Sequence, residues 1–306
     1  MKKLVPLLLL LFCACRAAKA APTEPTEPAA LAVFRAAYPD LTFDAAYDAD
    51  VGDWLVTIRV LASNDGTDQV SAVRSAALYW QDGRLLPREE LAARERYWTL
   101  LYGYAERIPD PADFTEEDVA RIRSFSAPQN RTDGAGTPPF FYDLVYDCAT
   151  RAAVERHIVT HNFLGKRTNI HERLRAPLDR VETRIRALAA TDSEVQDFIN
   201  TLASADSYSW RTISDSRKRS FHSIGIAVDV LPRGWGQKNV YWAWRRDIDP
   251  DGWMLLPLER RWLPPLSVIA AFEAEGFIWG GKWLIWDNMH FEYHPELLVH
   301  RATTGR

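Results

Sequence analysis

Two short segments hold the residues of this chain whose types and spacing could do chemistry. The first is Ser220-Phe221-His222-Ser223-Ile224-Gly225-Ile226-Ala227-Val228-Asp229-Val230, and the second is Asp287-Asn288-Met289-His290-Phe291-Glu292-Tyr293. Side chains along a strand alternate between its two faces. Ile226, Val228 and Val230 therefore share a core face, and Ala227 and Asp229 share the other face with Gly225. A carboxylate is directed away from the core beside two residues with almost no side chain. His222 lies just before the strand, and Gly225 permits the chain to turn it back toward Asp229. In the second segment Met289, Phe291 and Tyr293 alternate on the core side, with Asn288, His290 and Glu292 opposite. Two neighbouring strands, each carrying an outward ligand, can converge on one ion.

Two imidazole nitrogens and one carboxylate oxygen suit Zn²⁺. Three protein ligands leave the fourth tetrahedral position for water, whose pKa the ion lowers to about 7. The same donor set can hold non-haem iron, and residue types alone leave both metals open. A general base must reach that water. Asp287, three residues before His290 and just ahead of the strand, can enter the site without obeying the alternation. Glu292 competes because it shares the face of His290, although two residues along a strand displace it by about 6.6 Å.

The pattern Ser-x-His-x-x-Gly-x-Ala-x-Asp, followed some sixty residues later by Asp-x-x-His, resembles the zinc D-alanyl-D-alanine carboxypeptidase and L-alanyl-D-glutamate endopeptidase family. That family is grouped with lysostaphin and the hedgehog proteins in one superfamily. The resemblance spans about 205–296, and Gly276 to Trp283 and the Asp at 287 are similar to the endopeptidase branch. It implies that His222, Asp229 and His290 hold Zn²⁺ and that Asp287 is the base. It also implies an arginine upstream of the first motif that binds or polarises the substrate. Arg211 fits best, with Arg217, Lys218 and Arg219 as alternatives. The implied activity is hydrolysis of peptide bonds in peptidoglycan stem peptides, of the L-Ala-D-Glu endopeptidase type. The alternatives are a D-Ala-D-Ala carboxypeptidase and, from another class, an inactive zinc-containing cell-wall binding module.

These residues must be positioned by an α+β fold: a mostly antiparallel sheet flanked by helices, with zinc on the open face and a smaller N-terminal α+β module. The composition, 47% apolar and 25% charged over 306 residues, is that of an ordinary globular protein. Residues 29–126 read as the N-terminal module. It has a strand at Trp54–Val60, a hairpin turning at Asp82-Gly83, a helix over Arg88–Tyr104 and a short helix after Thr115. Residues 127–139, rich in Pro, Asn, Gly and Thr, read as a linker, and 140–306 as the catalytic domain. In that domain strand-like stretches surround a turn at Gly165, and helices run over Pro177–Ala189 and Glu194–Leu202. Arg233–Arg261 separates the two motifs and is the best candidate for a loop that shapes the cleft.

The N-terminus reads as an address. Lys2 and Lys3, the apolar run Leu4–Ala14 and the small residues before Ala21 form a signal peptide over 1–20, followed by a Pro, Thr and Glu-rich tether over 21–28. Phe12-Cys13-Ala14-Cys15 loosely resembles a lipobox, with Cys15 as a lipid anchor. Both readings place the mature protein in the periplasm or cell envelope. A net charge of −4 gives no basic field for nucleic acid. The remaining cysteine, Cys148, reads as a small buried apolar residue. His157, His161, His171, His294 and His300 lack partner spacing and read as structural or exposed. The tryptophans between 235 and 286 read mainly as core and rim packing.

Overall fold

The computed structural model describes residues 25–63, 70–214, 216 and 218–305. The expected signal segment with Cys13 and Cys15, most of the tether, and Arg217 lie outside the described residues.

Helix α1 (Leu31–Ala37) leads into an antiparallel sheet of β1 (Leu41–Asp48), β2 (Asp53–Ser63) and β3 (Val70–Tyr79), in that order. The Asp82-Gly83 turn forms, both residues at positive φ, and Leu86 returns to bridge Tyr79. The expected helix over 88–104 does not form. Arg88–Arg96 makes 3-10 turns in which nothing is buried, and the chain is extended from Tyr97. Over Arg88–Arg96 the helical spacing buries no apolar side chain, and short helices without such packing are marginal. Helix α2 (Glu116–Ser126) starts on a reciprocal Thr115–Asp118 cap. Next come α3 (Pro128–Asp133), α4 (Phe140–Tyr146) and α5 (Arg151–Val154).

A hairpin of β4 (Ile158–Phe163) and β5 (Lys166–His171) turns at Leu164-Gly165, both at positive φ. Helices α6 (Arg175–Ala189) and α7 (Ser193–Thr201) precede β6 (Leu202–Asp206) and β7 (Ala227–Pro232). After α8 (Trp242–Ile248) and α9 (Leu266–Glu273) come β8 (Phe277–Trp279), β9 (His290–Tyr293) and α10 (Pro295–Thr304). The last four strands form one antiparallel sheet in the order β6-β7-β9-β8. Val228, Val230 and Phe291 share a core with Leu178, Val181 and Ile185 of α6 and Val268 and Phe272 of α9. Phe272 stacks on Phe291 at 3.8 Å between centroids. The fold is α+β, with a mostly antiparallel sheet flanked by helices, as expected.

The N-terminal elements share that core. The rings of Phe34 and Tyr38 lie 5.4 and 5.3 Å from that of Phe141 on α4. Arg74 on β3 donates to the carbonyls of Leu144 and Val145 at the end of α4. The Tyr104 hydroxyl donates to Glu273 and accepts from the Trp279 backbone N–H. Residues 127–139 contain α3 and, at Gly136, backbone bonds to both Arg96 and Trp98.

Gly225 connects the fold to the site. Its φ is 77°, and an added Cβ would lie 2.8 Å from the His171 nitrogen and from Ile158 Cδ1. The β4–β5 hairpin packs so closely here that only hydrogen fits. Gly225→Ala should cost on the order of 1–3 kcal/mol through overpacking, beyond the backbone strain. Thermal unfolding should show a melting temperature lower by several degrees; an unchanged value would refute the tight fit.

Candidate metal centre

His222 is held by a local turn. Ser220 caps the 3-10 turn Phe221–Ser223, its hydroxyl accepting from the His222 N–H at 3.2 Å. The Ser223 hydroxyl donates back to the Ser220 carbonyl at 2.6 Å. The His222 carbonyl accepts from Ser209 and Gly225, which pins the turn between the β6–β7 connection and the start of β7. Nδ1 of His222 lies 2.7 Å from the Ser207 carbonyl. A carbonyl only accepts, so Nδ1 carries the proton and Nε2 faces the site.

Asp229 and His290 are direct partners across β7 and β9. Asp229 Oδ1 lies 2.8 Å from His290 Nδ1, and Oδ2 lies 3.1 Å from His222 Nε2. The two imidazoles approach at 3.2 Å, Nε2 to Nδ1. One ligand atom from each of His222, Asp229 and His290 falls within 4.8 Å of the others. Zinc bonds of 2.0–2.2 Å in a tetrahedron separate ligand atoms by about 3.3–3.6 Å. The donor set and its spacing therefore fit a metal ion after a small outward adjustment. Burial alone would raise the Asp229 pKa, but the His222 and His290 imidazoles hold it well below the usual carboxylate range. His290 shows the converse. Burial disfavours its cation, yet Asp229 and Glu292 raise its pKa well above the ordinary value.

Asp287 enters ahead of β9. Its backbone bridges Tyr241, and its N–H donates to the Gly280 carbonyl. A Cβ on Gly280 would lie 2.7 Å from the Asp287 carbonyl oxygen, so glycine is required for this approach. Asp287 Oδ1 is buried with no hydrogen-bond partner among the described residues. Burial pushes its pKa up to about 8; His290 opposes this, and Asp229 and Glu292 add to it. The segment 233–261 supports this region from behind. Trp242, Trp253, Met254 and Leu256 form a second small core with Trp286 and with Ile122 of α2. The backbones of Trp242 and Val240 bond to Trp286 and Asn288.

Glu292, the rival base, lies on the other side of the His290 ring. It faces Nε2 at 2.8 Å, whereas Nδ1 faces Asp229. Its second oxygen lies 3.2 Å from Nε2 of His294, a buried histidine read from sequence as structural or exposed. Burial would raise the Glu292 pKa, but His290 and His294 lower it to about 2.

Arg211 is exposed and lines a cavity of about 390 Å³ together with His222, Asp229, Ser207 and Tyr208. Of its alternatives, Lys218 donates to the Ala135 carbonyl, and Arg219 is bound to Asp143 and the Cys148 carbonyl. A second exposed arginine, Arg167 on β5, lines the same cavity and was not expected. It lies on a separate hairpin, and no sequence pattern shows which sheet that hairpin meets. Neither Arg167 nor Arg211 has an ion-pair partner among the described residues. Cys148 is a buried thiol within bonding distance of the Tyr142 carbonyl, and burial pushes its pKa up.

Metal uptake should release protons, because His290 holds one at neutral pH that a metal must displace. Affinity should therefore rise with pH toward the raised His290 pKa. Calorimetric titration of the metal-free protein with zinc at pH 7, in buffers of different ionisation enthalpy, should show net proton release. His222→Ala and His290→Ala should each abolish tight uptake. Zinc binding without proton release would contradict this arrangement.

Residues 214–293, which include all three ligand candidates and Asp287, match a family model described as D-alanyl-D-alanine carboxypeptidase. Residues 30–101 match the model of a domain of unknown function. No curated protein and no solved structure matches the chain. The first match supports placing the stretch around the metal centre with this peptidase superfamily.

Proposed function

We propose that this chain is a zinc peptidase that hydrolyses peptide bonds in peptidoglycan stem peptides, with L-Ala-D-Glu-type endopeptidase activity. The observation that carries the reading is the convergence of His222, Asp229 and His290 near a buried Asp287 carboxylate, one oxygen of which has no hydrogen-bond partner among the described residues, inside the stretch matched by a peptidase model. Two imidazoles and one carboxylate favour zinc over harder cations. A bound zinc would supply Lewis acidity toward the scissile carbonyl and acidify the attacking water.

The rest is work for the chain's own residues. Asp287 takes the proton of the attacking water and passes it to the leaving amine. Its raised pKa suits a group that must hold a proton for part of the cycle. Arg211 directs a guanidinium toward the oxygen on which negative charge develops. Ser207 fixes the His222 tautomer through its carbonyl. Export to the cell envelope, in free or Cys15-anchored form, belongs to the same reading.

A second reading, a D-Ala-D-Ala carboxypeptidase, is favoured by one observation. Arg167 and Arg211 offer the cavity two cations without an ion-pair partner among the described residues, and a substrate with a free terminal carboxylate could use one of them.

Purified peptidoglycan digested with and without chelator, followed by mass spectrometry of the fragments, tests both readings. New amine termini at the L-Ala-D-Glu bond, lost with chelator, support the first. Release of terminal D-Ala selects the second. No cleavage at any stem bond would sink the peptidase reading. Asp287→Asn should bind zinc normally and lose about 10²–10⁴-fold in kcat; full activity would exclude Asp287 as the base. Arg211→Ala should cost about 10²–10³-fold in kcat, and a change confined to KM would assign it to ground-state binding instead.

A further inference from the structure

We propose that the N-terminal module is a working part of the metal centre, and that Tyr38, acting through Glu296, His294 and Glu292, fixes the ring of His290. The inference rests on the metal-binding reading of His290.

The chain of contacts is continuous and buried. The Tyr38 hydroxyl, at the end of α1, donates to Glu296 Oε2 at 2.6 Å. Glu296 Oε1 lies 2.9 Å from His294 Nδ1. On its other side, His294 Nε2 lies 3.2 Å from Glu292 Oε2, and Glu292 Oε1 lies 2.8 Å from His290 Nε2. The Tyr142 hydroxyl reaches Glu296 Oε1 at 3.3 Å from the α4 side. Exposure is 8% for Glu292, 2% for His294, 0% for Glu296 and 2% for Tyr38, so water does not substitute for any missing partner.

Each link constrains the next. For His290 to present an Nδ1 lone pair to a metal, its Nε2 must keep the proton, and Glu292 is the acceptor that enforces this tautomer. Glu292 can turn its oxygen to His290 only while its other oxygen is engaged by His294. His294 lies between two carboxylates, its Nδ1 hydrogen-bonded to Glu296 and its Nε2 in ion-pair contact with Glu292, so Glu296 holds the ring that faces Glu292. Glu296 stands in the first turn of α10, where the helix end favours a negative charge. Its remaining oxygen is bound by Tyr38. Burial and the neighbouring Glu296 keep the Tyr38 phenol protonated, so it acts as a donor.

An apolar contact would join two modules at less cost than five buried polar groups. The polar chain also ends on a proposed metal ligand, which a simple seam does not require. Tyr38 lies within the 30–101 stretch matched as a domain of unknown function. The geometry gives that domain a task in the site some 250 residues downstream.

The test compares full-length wild type, Tyr38→Phe and Phe34→Leu. Phe34→Leu perturbs the same core without touching the polar chain. The readouts are zinc affinity by competition with a chromophoric chelator, and the visible spectrum of the Co²⁺-substituted protein. Tyr38→Phe should lower zinc affinity about tenfold, the low end for groups that orient a ligating histidine, and should alter the Co²⁺ spectrum. Phe34→Leu should lower the melting temperature and leave affinity and spectrum unchanged. If Tyr38→Phe does not fold, Glu296→Gln carries the same expectation. Wild-type zinc affinity and spectrum in the folded variant would overturn the inference while leaving the metal reading intact. Wild-type protein that takes up no metal would overturn both. Equal loss of affinity in Phe34→Leu would reduce Tyr38 to a packing residue.

Discussion

The pairing of Asp229 with His290 across β7 and β9 is the constraint from which the site follows. The register is set on the opposite face of the sheet. Val228 is paired with Phe291 one step along, and Phe291 stacks on Phe272 beneath. Because side chains alternate, a slip of one residue would drive the Asp229 carboxylate into the helix-covered core and expose Val228 or Phe291. Each large apolar side chain brought into water would cost about 1.5–3 kcal/mol, and a buried unpaired carboxylate several more. The apolar contacts with α6 and α9 therefore place the polar ligands without touching them. His222 depends on different physics. It is set by a capped turn and by a glycine pressed against the β4–β5 hairpin.

The ligand-bearing face of the sheet and the segments beside it gather more negative than positive groups. Asp229, Asp287, Glu292 and Glu296 meet three imidazoles, those of His222, His290 and His294. His294 holds a proton between Glu292 and Glu296, and its pKa is raised to about 9 by them against the effect of burial. His290 is drawn the same way. At the far end Asp287 has no ion-pair partner among the described residues, and burial drives its carboxyl toward the neutral form against the opposing charge of His290. Such a cluster is short of one concentrated positive charge, and a divalent ion among His222, Asp229 and His290 would provide it. The electrostatics and the donor geometry therefore favour the same occupant at the same point.

Much of this was legible in the sequence because strand alternation carries it. Ile226, Val228 and Val230 are in the core, and Asp229 and His290 face away from it. The α6 and α7 helices and the Gly165 turn form where spacing and turn chemistry put them. Other features lacked a local signal. Arg88–Arg96 has helical periodicity but buries nothing, so periodicity without burial misled, and Leu100, Leu101 and Tyr104 enter the core from non-helical chain. His294 continues the parity of His290 and Glu292, yet Pro295 opens a helix there and hides the continuation. Tyr38 and Glu296 are 258 residues apart, and no single-sequence pattern reports a contact at that separation. Arg167 was missed for a related reason. Alternation fixes its face on the hairpin, but not what that face meets.

The two candidate bases near His290, Glu292 and Asp287, are divided by their partners rather than by residue type. Glu292 has an imidazole nitrogen facing each oxygen, and those contacts stabilise its anion. A carboxylate held near a pKa of 2 cannot retain a proton at neutral pH, so it can orient a ring but not shuttle protons. Asp287 has an oxygen with no hydrogen-bond partner among the described residues and a pKa displaced the other way. Its backbone is held by the bond to Gly280 and the bridge to Tyr241. A proton carrier needs one unsatisfied oxygen, an elevated pKa and a rigid mount. Asp287 has all three: an oxygen without a hydrogen-bond partner among the described residues, a pKa raised chiefly by burial and further by Asp229 and Glu292, and a backbone tied to Gly280 and Tyr241.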